Sequence, residues 1–263
     1  MQLTKAFLRG ILIGKLKLGF FMRTDEFIKR LSEISKGNES EFERLRTGIP
    51  IGEDDAQNVA LARGETDLAR CHHTCVTGSS RTEFIRRVVF TLSCIYDKSE
   101  IAFLIVSPNM AYGELLKLKN ADVTVPFIRD GKDLALVLET VKTLARARVT
   151  QRFSQRLFVV LDGLEDLPDD TKQGTFEIYR PFLEAVGTSG VEIITGVELR
   201  NSIYAGYPGV FVGVGNALIT PDADGNADVT FVALDGSMGL PKKITYPSIP
   251  TVRECIEYFN GIA

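Results

Sequence analysis

From residue 49 onward, short apolar runs alternate with stretches of helical spacing. The runs 74–77, 101–106, 123–127, 157–161 and 191–195 are continuously apolar, or nearly so. That pattern marks strands buried on both faces, as in a parallel sheet. Between them the spacing predicts helices at about 82–97, 111–119, 131–148 and 172–186. The first carries Ile85, Val88, Val89, Leu92 and Ile95 on one side. Strand and helix in alternation predict an α/β domain with a mostly parallel central sheet and helices on both faces. After residue 200 the pattern changes. Segments 210–219 and 229–234 flank the turn-rich Pro221-Asp222-Ala223-Asp224-Gly225-Asn226, which predicts an antiparallel hairpin. A closing helix over 252–259 has Thr251 as N-cap, Glu254 as its capping-box partner and Asn260-Gly261 as its stop.

Ahead of this domain, residues 1–48 read as a basic arm followed by a helix. Segment 11–18 alternates in part, which suits either a strand or a basic amphipathic element on a membrane surface or a partner. Residues 25–36 place Phe27, Leu31 and Ile34 on one helical face and end at Lys36-Gly37. A polar stretch, 37–46, leads into the domain at 49–263.

Charge sharpens the division. Residues 1–23 hold Lys5, Arg9, Lys15, Lys17, Arg23 and no acid, leaving −8 on the remainder of a chain whose net charge is −3. An acidic body argues against binding nucleic acid over its whole surface. The apolar run 7–21 is broken by Arg9, Lys15 and Lys17 and falls short of a transmembrane span. Cysteines at 71, 75, 94 and 255 form no disulfide framework, and reduced thiols in a cytoplasmic protein are the simplest reading.

Two stretches carry candidate chemistry. Cys75-Val76-Thr77-Gly78-Ser79-Ser80-Arg81-Thr82-Glu83-Phe84 has the strand–loop–helix setting of a phosphate loop, G-x-x-x-x-G-K-S/T. Counted from Gly78, the template requires Gly, Lys and Ser/Thr at 83, 84 and 85, where Glu83, Phe84 and Ile85 stand. On that count the phosphate-binding cation and the Mg²⁺-binding hydroxyl are lost. Gly78, Ser79, Ser80, Arg81 and Thr82 remain at a helix N-terminus, a setting favourable to anions. About 85 residues later, Leu157-Phe158-Val159-Val160-Leu161-Asp162 is an apolar strand ending in a carboxylate, the form of a Walker B strand. Asp162 suits the Mg²⁺-holding role, while the following acid is replaced by Gly163. Glu165 and Asp166 lie too far along to substitute without remodelling the turn.

These stretches, in order, resemble the motor domain of the FtsK/SpoIIIE family within the FtsK- and HerA-like P-loop ATPases. Ile49-Pro50-Ile51-Gly52-Glu53-Asp54 is similar to the family's entry strand, and His73-Thr74-Cys75-Val76-Thr77-Gly78 to its lead into the phosphate loop. Phe103-Leu104-Ile105-Val106-Ser107-Pro108-Asn109 resembles its second strand, and Val125-Pro126-Phe127-Ile128 the connection after it. Val191-Glu192-Ile193-Ile194-Thr195 resembles its sensor strand, with Val197 where a glutamine is usual. Gly213-Val214-Gly215-Asn216-Ala217-Leu218-Ile219 resembles its late G-x-G strand. The stretch between Thr195 and Val210 lacks the arginine-bearing segment that completes a neighbouring subunit's site.

The resemblance implies a RecA-like P-loop NTPase fold over about 49–259. With the cation, hydroxyl, acid and sensor all departing from the pattern, it implies a pseudo-ATPase with no ATP or Mg²⁺ cofactor. Gly78, Ser79, Ser80, Arg81, Thr82 and Asp162 would be its vestigial nucleotide site. The implied partners are an active FtsK-like motor or a conjugation or secretion component, DNA, or a second copy of the chain. The alternatives are an active translocase using Arg81 or a partner's arginine in place of the lysine, and a DNA-binding accessory protein.

Three further groups attract attention. Lys142, Arg146, Arg148, Arg152 and Arg156 form a basic run without an intervening acid, suiting a nucleic-acid or partner contact or a solvated helix end. Cys71, His72, His73 and Cys75 are zinc-type ligands, but adjacent residues on a core strand rarely close a tetrahedron, so no metal is expected. Asp222, Asp224, Asn226 and Asp228 resemble a calcium loop in spacing, yet without its glycine position or terminal glutamate they read as a hairpin turn.

Overall fold

The computed structural model describes residues 48–54, 59–62, 72–96, 98–119, 121–150, 155–167, 182, 191–198, 217–231, 237–246 and 256. The expected basic arm and helix at 1–48 lie outside these residues but for Gly48, as do most of the helices at 172–186 and 252–259 and the 210–216 portion of the hairpin.

Ten strands form one sheet. They are β1 (Ile49–Glu53), β2 (Val59–Ala62), β3 (His72–Thr77), β4 (Ile101–Val106), β5 (Asp122–Thr124), β6 (Arg156–Asp162), β7 (Val191–Val197), β8 (Ala217–Pro221), β9 (Asn226–Phe231) and β10 (Lys242–Thr245). Their order is β2-β1-β10-β9-β8-β3-β7-β6-β4-β5. From β8 to β5 every pairing is parallel; from β8 outward through β9, β10, β1 and β2 every pairing is antiparallel. The continuous apolar runs became the centre of the parallel half, where β7 is buried along its whole length and β6 from Leu157 onward.

Two helices cover opposite faces. α1 (Arg81–Ile95) follows β3 and lays Phe84, Ile85, Val88, Val89 and Leu92 against Val76, Phe103, Phe158, Ile194 and Ile219. α2 (Gly131–Thr150) packs Leu134, Leu138, Val141 and Ala145 against Leu157, Val159, Leu161 and Ile193. Alternate residues of β6 thus serve both faces, as the two-residue period of a strand requires. Asp130 caps α2 by accepting from the backbone N–H groups of Lys132 (2.9 Å) and Asp133 (3.0 Å).

Some elements differ from expectation. The helix predicted at 111–119 is a short 3₁₀ helix, Gly113–Lys117, where the N–H groups of Gly113 and Leu115 donate to the carbonyls of Met110 (3.1 Å) and Tyr112 (3.0 Å). β5 stops at Thr124, and Phe127 rejoins the sheet only as an isolated bridge to Ser107, since Pro126 cannot donate to a ladder. β2 and β10 were not foreseen from the pattern. The hairpin turn runs from Asp222 to Gly225, where Asp222 Oδ1 accepts from the N–H groups of Asp224 (2.8 Å) and Asn226 (2.9 Å). Those bonds give Asp222 a structural job in the turn.

His73 and Cys75 sit inside β3, fully enclosed. His73 Nε2 meets the Thr195 hydroxyl on β7, and burial pushes the Cys75 thiol up to about 12. Among the described residues, no group of His, Cys, Asp and Glu has the arrangement of a metal site. Cys71 lies outside the described residues. Burial lowers His73 from 6.5 to about 4. The folded chain therefore keeps this imidazole neutral at a pH where the unfolded chain protonates it. The contribution of His73 to stability is complete above 6.5 and is lost as pH drops towards 4, about 3 kcal/mol across the window. Urea unfolding at several pH values measures this. His73→Gln should unfold more easily at pH 7 yet lose less stability between pH 6.5 and pH 4.5 than the unsubstituted chain. Equal pH slopes for the two proteins would remove the assignment.

Candidate functional site

The carboxyl ends of β3, β6 and β7 meet at one edge of the parallel half, where ligands bind in open α/β sheets. Asp162 ends β6 there, its side chain wholly buried. Three donors satisfy it. Arg81 Nε lies 3.1 Å from Oδ1, while the Thr82 hydroxyl and the Tyr112 phenol each lie 2.7 Å from Oδ2. Burial, and then the Asp162 charge, hold the Tyr112 phenol well above its usual range, so it stays protonated and donating. Gly196 on β7 leaves the room this carboxylate occupies. A Cβ there would stand 2.0 Å from Asp162 Oδ1 and 2.7 Å from its carboxyl carbon.

Arg81 is shared further. Its Nη2 pairs with Glu165, its Nη1 lies 3.6 Å from Glu198, and the same nitrogen lies 3.4 Å from the Gly78 carbonyl. One guanidinium, 13% exposed, therefore faces three carboxylates. Glu165 reaches it because Gly163 adopts a left-handed conformation (φ 71°), after which the 3₁₀ turn Leu164–Asp166 folds back. Asp166 points to solvent. The left-handed glycine thus turns Glu165 into the corner, where it serves as an ion-pair partner of Arg81.

Fixed spacing from Gly78 does not describe the loop either. Phe84 and Ile85 lie on the buried face of α1, with Phe84 edge-on to Tyr246 at 4.9 Å. Glu83 faces outward and binds Arg86 (2.8 Å) and Arg87 (3.2 Å). The residues that face Asp162 are Arg81 and Thr82, in the first turn of α1. Counted back from them, the template would put its glycines at Cys75 and Ser80. Cys75 lies inside β3, which continues to Thr77. Only Gly78, Ser79 and Ser80 then separate strand from helix. The loop is too short for eight-residue phosphate-loop spacing, while a cation and a hydroxyl keep their places after it. Ser79 is exposed and Ser80 makes no side-chain cap bond. Val197, at the expected sensor position, is buried, and the next residue, Glu198, supplies the polar contact instead.

The expected vestigial-site residues thus gather around one corner, with Arg81, Thr82 and Asp162 in direct contact. Tyr112, Gly196 and Glu198 belong to the same corner and were not picked out from sequence, and Glu165, weighed there as a substitute acid and set aside, joins them. Only their position after a strand end offered a signal, and only for Glu198.

With this geometry in view, similarity to known proteins becomes informative. No protein-family model matches the chain, and no curated protein does. Solved structures do. The cytoplasmic domain of the type VII secretion ATPase EccC from Thermomonospora curvata superposes with a TM-score of 0.57 at 15% identity, over 82% of this chain and 31% of that one. EssC (ATPases 2 and 3) from Geobacillus thermodenitrificans gives 0.51 at 12% identity, over 81% of this chain and 48% of that one. The chain shares the α/β fold of these domains. It spans about a third to a half of these neighbours' lengths.

The basic run is dispersed. Arg156 begins β6 partly buried, its guanidinium bonded to Glu192 (2.6 Å) and lying 5.2 Å and 5.0 Å from the Tyr96 and Phe158 ring centres. Lys142 pairs with Glu139, Arg148 is part-buried against the Gln155 carbonyl, Arg146 is exposed, and Arg152 lies outside the described residues. Among the described residues, no helix is long and apolar enough to cross a membrane.

Gly196→Ala should lower stability by about 3 kcal/mol or more, because its new methyl expels Asp162 from its donors and strands a buried charge. Urea denaturation reads this directly; a loss below about 1 kcal/mol would mean Asp162 has room to move.

Proposed function

We propose that the chain is an FtsK/SpoIIIE-like pseudo-ATPase, a module that binds or assembles within a secretion, conjugation or DNA-translocation machine without turning over ATP. One observation carries the reading: Arg81, the cation at the head of α1, is already engaged by Asp162, Glu165 and Glu198. A magnesium–triphosphate would bring more negative charge to a corner where acids outnumber bases. A three-residue loop also offers few successive N–H groups to wrap a phosphate. The residues present do not fit that cofactor. Hydrolysis in the assembly would then come from a partner, either an active motor subunit or another component. The fold neighbour described as a type VII secretion ATPase favours a secretion system.

A second reading is an ATP-binding site in which Arg81 replaces the usual lysine. What favours it is the bond from Thr82 to the strand-end Asp162, the place of a phosphate-loop hydroxyl beside a Walker B carboxylate. Calorimetric titration with Mg²⁺–ATP, paired with a phosphate-release assay, separates the two. We expect no saturable heat and no release above background. Low-micromolar binding with release would establish the second reading.

A further inference from the structure

Two donors from different elements converge on one oxygen of Glu165. They are Nη2 of Arg81 on α1 and the backbone N–H of Glu198, 3.2 Å away and just beyond β7. A guanidinium and a main-chain N–H aimed at one point beside the first turn of a helix form a donor set for an oxyanion. Glu165 meets it incompletely. Its second oxygen, Oε2, is buried with no hydrogen-bond partner among the described residues. Burial also pushes the carboxyl above its ordinary range, so holding it ionised there is opposed by its surroundings. The segment carrying it is a left-handed glycine and one 3₁₀ turn, a short tether that aims one side chain back over Arg81.

We propose that Glu165 is a tethered plug, a carboxylate seated in an oxyanion position that takes inorganic phosphate once the plug is removed. This rests on the sealed-site reading above and names the residue that does the sealing. Asp162 is not the plug, because all three of its donors lie inside the fold and its side chain is fully buried. Glu198 stands farther off at 3.6 Å and contributes charge more than occupancy.

The test compares the unsubstituted chain with Glu165→Ala and with Glu165→Ser, a second variant that also vacates the position if the alanine form does not fold. Each is melted against increasing inorganic phosphate, with sodium chloride at matched ionic strength as reference. Ligand binding to the folded state raises the midpoint. The expected result is a saturable, phosphate-specific rise in the variants, none in the unsubstituted chain, and loss of the rise when Arg81→Gln is added. The plug is overturned if folded variants show no response, if the response survives Arg81→Gln, or if the unsubstituted chain responds equally. Mg²⁺–ATP turnover by the unsubstituted chain would instead remove the parent reading, so the two failures are distinct.

Discussion

A carboxylate taken wholly out of water must be met by donors, and at the end of β6 Asp162 is met by three. They come from two places in the chain's local structure. Arg81 and Thr82 arrive because α1 starts immediately after a three-residue loop, and Tyr112 arrives because a 3₁₀ turn brings it under the same edge. β7 contributes by omission, with Gly196 leaving the space the carboxylate fills. Helix, turn and two strands are thus positioned around one buried charge. The ion pair between Arg86 on α1 and Glu114 in the 3₁₀ turn reinforces that relation from outside.

The same contacts define the chemistry. In a phosphate loop the cation waits for a ligand; here the guanidinium is committed within the fold. A buried pair of this kind gives little net stability by itself, because desolvation offsets attraction, but removing either partner is costly. The corner is therefore specified more strongly than it is stabilised.

The large features of the fold were legible because they depend on hydrophobic period. The runs that became β3, β4, β6 and β7, and the stripe that became the buried side of α1, are long and apolar enough to leave little choice. β2 and β10, four residues each at the antiparallel flank, have no such signal: β2 rests on its chain neighbour β1, and β10 lies between β9 and the distant β1. The site was legible only in part. Gly78 through Thr82 and Asp162 were found as a group, but a spacing template assumes a loop of fixed length. Where β3 runs on to Thr77, the count slides and sets Phe84 where Arg81 actually stands. Glu165 was hidden for a related reason, since only a left-handed residue at 163 turns it inward. The surroundings of Arg156 were not legible either. Sequence shows that Arg156 is charged, but not that two aromatic rings and Glu192 enclose it.

The antiparallel flank carries a consequence for how the molecule is built. β1 is held on one side by β2 and on the other by β10, and the pairing of Glu53 with Thr245 joins positions about 190 residues apart. β10 in turn rests on the β8–β9 hairpin, which anchors to β3. During synthesis, the earliest strand of the domain has no permanent neighbour but its own hairpin mate until almost the whole sheet exists. Closing so large a loop is slow and entropically unfavourable. The parallel half is the part able to assemble first, and the opening residues of the domain are the last to be secured.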